Sequence, residues 1–229
     1  SKSHDFLYAK DIGKKLRVNF NPIYINSERI ITDLSKILRA SQDWRDYNVH
    51  CAVLNYYIAE HISQNFDKKK YIVLTGDFMN EAFADYTSEF IKGNEYYAQP
   101  KFSQKTRQRF FLNGLDSSDR EIGIFSHFGL SCIQPYTFVI NRYRSLTNND
   151  LSKDDAKYQI NGSLLPKSLL NSISNQKVRA QVGDVDGGIL GYFIKNDITQ
   201  GKLKKIFSKE FKINQDFLRD FIQVGVYKI

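Results

Sequence analysis

The stretch from Tyr71 to Tyr86 limits the fold more than any other part of the chain. Tyr71-Ile72-Val73-Leu74-Thr75 is a short continuous apolar run that Gly76-Asp77 closes, and Asn80-Glu81-Ala82-Phe83-Ala84-Asp85-Tyr86 follows with the composition of a helix start. A run this short, with no polar alternation, predicts a parallel strand buried on both faces, since such a strand has helices above and below it and no solvated side. The strand therefore needs neighbours. Tyr8 to Leu16 has helical spacing and leads into an alternating segment, Leu16 to Ile25, that reads as a second strand. Asn26-Ser27-Glu28 forms a helix cap ahead of Ile30, Ile31, Leu34, Ile37 and Leu38, which recur at three- and four-residue intervals. Another helix covers about Val49 to Ser63, with Leu54, Tyr57, Ile58 and Ile62 on one face.

Strands and helices alternating in this way predict an α/β fold, an open and mostly parallel sheet flanked by helices, with a largely helical C-terminal half. Asp116-Ser117-Ser118-Asp119-Arg120-Glu121 has the caps and early acids of a helix start, and it leads into Ile122-Gly123-Ile124-Phe125. Pro135 stops any helix and imposes an extended approach on the residue before it. Thr147 to Asp155 reads as a surface loop, and Asp184-Val185-Asp186-Gly187-Gly188 as a turn. Residues 1–229 are expected to form one domain, as the 41% hydrophobic content is enough for a substantial core.

Composition narrows the function classes. The net charge of +8 invites a nucleic-acid reading, but the basic residues are scattered along the sequence. Lys68-Lys69-Lys70, Lys101 to Arg109 and Lys202 to Lys209 read better as solvated helix faces, or as a positive rim around a polyphosphate site, than as a nucleic-acid surface. No apolar run approaches the roughly 18 residues of a membrane helix, and Ser1-Lys2-Ser3-His4-Asp5 does not resemble a secretory signal. Cys51 and Cys132 each sit in an apolar stretch, as buried free thiols do in a reducing cytoplasm.

In open parallel sheets, ligands bind beyond the carboxyl ends of the strands, which singles out the turn after Thr75. Gly76 would let backbone approach a ligand closely, and Asp77 puts an acid at the strand tip. Asn80 and Glu81 stand at a helix N-terminus, where anions are attracted and carboxylates can hold a Mg2+ that bridges phosphates. Asp77 serves equally well as a plain N-cap of the helix that follows.

This segment resembles the second signature of the asparagine-synthetase family, Ser-Gly-acid-Gly-x-Asp-Glu-x-Phe-x-x-Tyr. Thr75-Gly76 fall on the Ser-Gly pair, Asp77 on the acid and Asn80 on a Mg2+-holding aspartate, while Glu81, Phe83 and Tyr86 match directly. Gly129-Leu130-Ser131-Cys132-Ile133-Gln134-Pro135-Tyr136 is similar to the family's Gly-Val-Glu-Ala-Arg-Val-Pro-Phe. Leu164-Leu165-Pro166 with Asn175-Gln176-Lys177 is similar to its Leu-Leu-Pro and Arg-Pro-Lys. Three matches in order and at the right spacing span most of the chain. The resemblance implies an ATP- and Mg2+-dependent ligase or amidotransferase that activates a carboxylate as an adenylate, releases pyrophosphate and lets an amine attack. It further implies that Asp77, Glu81 and Lys177 are catalytic, that Thr75, Gly76 and Arg179 bind nucleotide, that Ser131, Gln134 and Tyr136 bind substrate, and that Asn80 and Asp77 hold the metal.

The departures reshape that expectation. Phe78 replaces a family glycine, Asn80 an aspartate, and Ser131 and Ile133 the glutamate and arginine of the second motif, which argues against asparagine synthesis itself. The family's phosphate loop, Ser-Gly-Gly-x-Asp-Ser, has no counterpart in the 229 residues. A complementary segment or chain carrying that loop is therefore expected, adding two parallel strands beside Leu16 to Ile25. The alternative is a non-catalytic binding or assembly module of the same fold, and a homo-oligomer is left open.

Overall fold

The capping signal at Asn26 is used: its side-chain oxygen accepts from the Glu28 N–H at 3.0 Å and starts a helix at Ser27. The computed structural model describes residues 4–77, 88–91, 94–97, 101–102, 115–138, 151–152, 169 and 187–218. Within them, α1 is His4–Leu16, α2 Ser27–Ser41, α3 Asp46–Asn65, β1 Ile72–Leu74, β2 Ser88–Ile91, β3 Asn94–Tyr97 and β4 Lys101–Phe102. Then come α4 (Leu115–His127), β5 (Ser131–Ile133), β6 (Leu151–Ser152), α5 (Gly188–Lys195) and α6 (Gln200–Phe211). The coarse class holds, with helices accompanied by a small parallel sheet.

The chain condenses into two units, each assembled from separated stretches of sequence. One comprises Ile23–Thr75, Leu115–Ile133 and Asp186–Ile229 and holds α2, α3, β1, α4, β5, α5 and α6. Its core is helical: Ile37 and Leu38 of α2, Val53 of α3, Ile124 of α4 and Leu203 of α6 have no exposed surface. Burying each such side chain contributes roughly 1.5–3 kcal/mol. The three- and four-residue spacing of α2 puts this apolar stripe on one face. At Gly123 a Cβ would lie 2.8 Å from the Ala40 carbonyl oxygen, so α4 approaches α2 closely enough to exclude a side chain there.

Charged side chains tie α2 to α3. Arg29 donates to Glu60 through Nη1 (3.1 Å) and Nη2 (2.9 Å). Buried Asp33 accepts from Arg29, from Lys36 and from the Tyr57 hydroxyl at 3.3 Å. Burial alone would push the Asp33 carboxyl up, but the bond and charge of Lys36, with Arg29 and Tyr57, outweigh it and hold it below its ordinary value.

His50 of α3 is also buried, meeting the Phe193 ring edge-on at 4.8 Å. Burial lowers its pKa against the opposing pull of Asp46. Below the ordinary histidine value of about 6.5 the unfolded chain takes up a proton that the folded chain refuses. Stability should therefore begin to fall as pH drops through that value. Urea titrations of the parent and of His50→Gln between about pH 7 and pH 5 should show the variant with the flatter dependence.

The other unit comprises Ser1–Pro22, Gly76–Gly114 and Gln134–Val185. Helix α1 is followed by a return of chain that packs Phe20 edge-on against Phe6 at 5.2 Å. Strands β2 and β3 form an antiparallel pair with Ser88 opposite Tyr97 and Ile91 opposite Asn94, and β4 pairs antiparallel with β6.

Several expectations are corrected. Leu16 ends α1, and residues 17–26 form no strand: Val18 is 58% exposed, and Pro22 interrupts the alternation. Strand β1 is not buried on both faces, for Ile72 and Leu74 are 60% and 67% exposed, and among the described residues β1 pairs with β5 alone. Glu89, three residues beyond the expected helix start that ends at Tyr86, lies in β2 opposite Tyr96. Cys51 and Cys132 are free of disulfides but half-buried rather than buried. Among the described residues no helix is long and apolar enough to cross a membrane.

Candidate functional site

Strands β1 and β5 run parallel, with Ile72 opposite Ser131, Val73 opposite Cys132 and Leu74 opposite Ile133. The ladder continues one step further, as the Thr75 N–H donates to the Ile133 carbonyl at 3.1 Å. Helix α4 sets the entry to β5 through a tight turn, in which Leu130 N–H donates to Phe125 C=O and Gly129 N–H to Ser126 C=O, both at 2.9 Å. Because the strands share a direction, their carboxyl ends lie at one edge of the pair. The chain leaves that edge twice, into Gly76-Asp77 and into Gln134-Pro135-Tyr136.

Thr75 is half-buried, and its buried Oγ1 has no hydrogen-bond partner among the described residues. A buried hydroxyl in that condition calls for an explanation, such as a water, an ion or a ligand. Gly76 is exposed, and a Cβ built on it meets nothing within 4 Å. Its φ is not positive either, so the fold itself sets no requirement for glycine there. Asp77 is half-buried. Gln134 is buried in extended backbone (φ −104°, ψ 92°), as Pro135 requires, and Pro135–Thr137 forms one turn of 3-10 helix. Tyr136 is half-buried, and burial pushes its phenol pKa up.

Not every expected residue follows a strand end in the chain. Ser131 is exposed and faces Ile72 at the amino end of the pair. It stands about 10 Å along β5 from Gln134 at the usual rise per strand residue. Asn80, Glu81, Lys177 and Arg179, with Phe78, lie outside the described residues. Among the described residues no cluster of three or more His, Cys, Asp or Glu is placed to hold a metal.

Sequence reasoning missed a buried polar network between α3 and α4. The Asp43 carboxylate accepts from Arg45 Nε (3.0 Å) and Nη2 (2.7 Å), from the Arg45 backbone N–H (2.9 Å) and from Asn48 Nδ2 (2.5 Å). Asn48 Oδ1 in turn accepts from Arg120 Nη1 at 3.0 Å, and one helical stretch further along α3, Asn55 donates to Glu121 at 3.3 Å. Asp43, Arg45, Asn48, Arg120 and Glu121 are all buried. The network locks the start of α3, which Arg45 precedes as N-cap, to α4, and α4 delivers β5. Asp119-Arg120-Glu121 had read as an ordinary charged helix start; a buried arginine is invisible in that pattern.

No protein-family model matches the chain, and no curated protein matches it.

Proposed function

We propose that the chain is an ATP-dependent adenylating domain of the asparagine-synthetase type, which activates a carboxylate for attack by an amine. The observation that carries this reading is the parallel pair with Thr75-Gly76 at the carboxyl end of β1: a buried hydroxyl with no partner among the described residues is followed by a glycine beside open space. The donor chemistry suits a nucleotide, since a threonine hydroxyl and a glycine backbone N–H both serve phosphate oxygens. Asp77 and Asn80 would hold Mg2+, and their oxygen donors suit that hard cation. Asp77 would also accept the proton of the attacking amine. Gln134 and Tyr136 would contact the acid, Glu81 would support the metal side of the site, and Lys177 with Arg179 would offset charge growing on the leaving pyrophosphate.

In this reading β1 and β5 belong to a wider open parallel sheet. A complementary segment bearing Ser-Gly-Gly-x-Asp-Ser pairs along the side of β1 away from β5, where Ile72 and Leu74 would gain cover. An apolar strand left with an exposed edge is otherwise an aggregation hazard.

Gly76→Val tests the nucleotide role. Since a Cβ at Gly76 meets nothing, the variant should fold with stability within about 0.5 kcal/mol of the parent. Mg-ATP binding to the native assembly, followed by calorimetry, should weaken on the order of tenfold or more, corresponding to a loss of about 1.4 kcal/mol. Parent-like ATP affinity in Gly76→Val, or no ATP binding by the parent assembly, would overturn the assignment.

A further inference from the structure

Helix α6 and its C-cap carry Lys202, Lys204, Lys205, Lys209 and Lys212. In sequence they look scattered. Helical folding orders them, because residues three or four apart share a face. Within the helix Lys202, Lys205 and Lys209 follow at intervals of three and four, and Lys212 is the C-cap in left-handed backbone; all four are exposed. From Lys202 to Lys209 the ridge is about 10 Å long at the rise of an α-helix.

The opposite side of α6 is committed to the core, with Leu203 wholly buried and Phe207 5% exposed. The nearby acids leave most of the ridge positive. Glu210 turns toward α2, where it accepts from Ser35 Oγ at 2.6 Å and pairs with Arg39, which brings a further cation to the region. Asp197 meets Lys202, at one end of the ridge, at 2.6 Å.

We propose that this lysine ridge docks the phosphodiester backbone of a single-stranded nucleic acid. Charge complementarity selects the partner class: evenly spaced ammonium groups on flexible stems can follow successive phosphates without reading bases. An anionic bilayer is the competing polyanion. A helix lying on a membrane needs an apolar face to bury there, and α6 has given its own to the core.

The test is fluorescence anisotropy of a labelled U20 RNA titrated with the intact chain at several salt concentrations. Three lysine–phosphate contacts along the helix should give a slope of log affinity on log salt of about −2.1. In Lys205→Gln/Lys209→Gln the slope should shrink by about 1.4, and binding at about 0.1 M salt should weaken on the order of tenfold or more. A control pair on α1, Lys10→Gln/Lys14→Gln, should bind as the parent does, and circular dichroism should show both variants folded. The proposal fails if the parent does not bind U20 at about 50 mM salt, or if the ridge variant keeps the parent's affinity and slope. Ridge-dependent attachment to phosphatidylserine vesicles without RNA binding would likewise overturn it, in favour of a membrane surface.

Discussion

Asp77→Asn should lower ATP–pyrophosphate exchange by the native assembly on the order of 100-fold or more while leaving the melting temperature nearly unchanged. The two halves of that result have separate causes. Asparagine caps a helix about as well as aspartate, so a capping role survives the change. A carboxylate that holds Mg2+ does not, because the amide is a weaker metal ligand; loss of the base for the amine, which acts after pyrophosphate has left, would slow amide formation and not exchange. Asp77 is half-buried and follows Thr75, whose buried hydroxyl has no partner among the described residues, by two residues in the chain. If Asp77→Asn exchanges pyrophosphate at the parent rate, Asp77 is a cap and the adenylating reading loses its central acid.

Asp43→Ala should destabilise the unit that contains it by roughly 3–5 kcal/mol, the usual cost of removing one partner from a buried, hydrogen-bonded ion pair. Arg45 is 4% exposed and its guanidinium bonds Asp43 through Nε and Nη2, so no water stands ready to replace the carboxylate. Asn48 loses an acceptor in the same step. Urea denaturation should reveal the loss, and Asp43→Asn, which keeps an acceptor oxygen, should lose less. A cost below about 1 kcal/mol for Asp43→Ala would mean that the pair behaves as an exposed one.

Helix α2 was legible because its signals are local. The Asn26 cap and the three- and four-residue spacing of Ile30, Leu34, Ile37 and Leu38 give it its start and its buried face without reference to the rest of the chain, whereas Ile31 and, in α3, Ile58, both expected on apolar faces, are exposed. The same holds for Tyr71 to Thr75, whose composition marks a strand and whose glycine marks its end. Pro135 likewise fixes the extended backbone of Gln134 by a clash between adjacent residues.

What surrounds each element was decided elsewhere. Alternation from Leu16 to Ile25 resembles a strand, but a strand exists only where another offers its ladder, and the described chain has none there. Ile72 and Leu74 carry the composition of a two-sided interior and are exposed, because burial depends on neighbours that one segment cannot encode. Arg45 and Arg120 look like surface charges in sequence and lie buried in one network, joined through Asn48 across 72 residues of chain. The order of α6's lysines needed its helical turn, and their exposure needed the core to claim Leu203 and Phe207 on the other side. Sequence by itself thus determined caps, periodicities and strand ends, which arise from contacts within a few residues. Tertiary structure alone decided which faces are covered and which charges are paired, since those free energies belong to contacts between segments far apart in the chain.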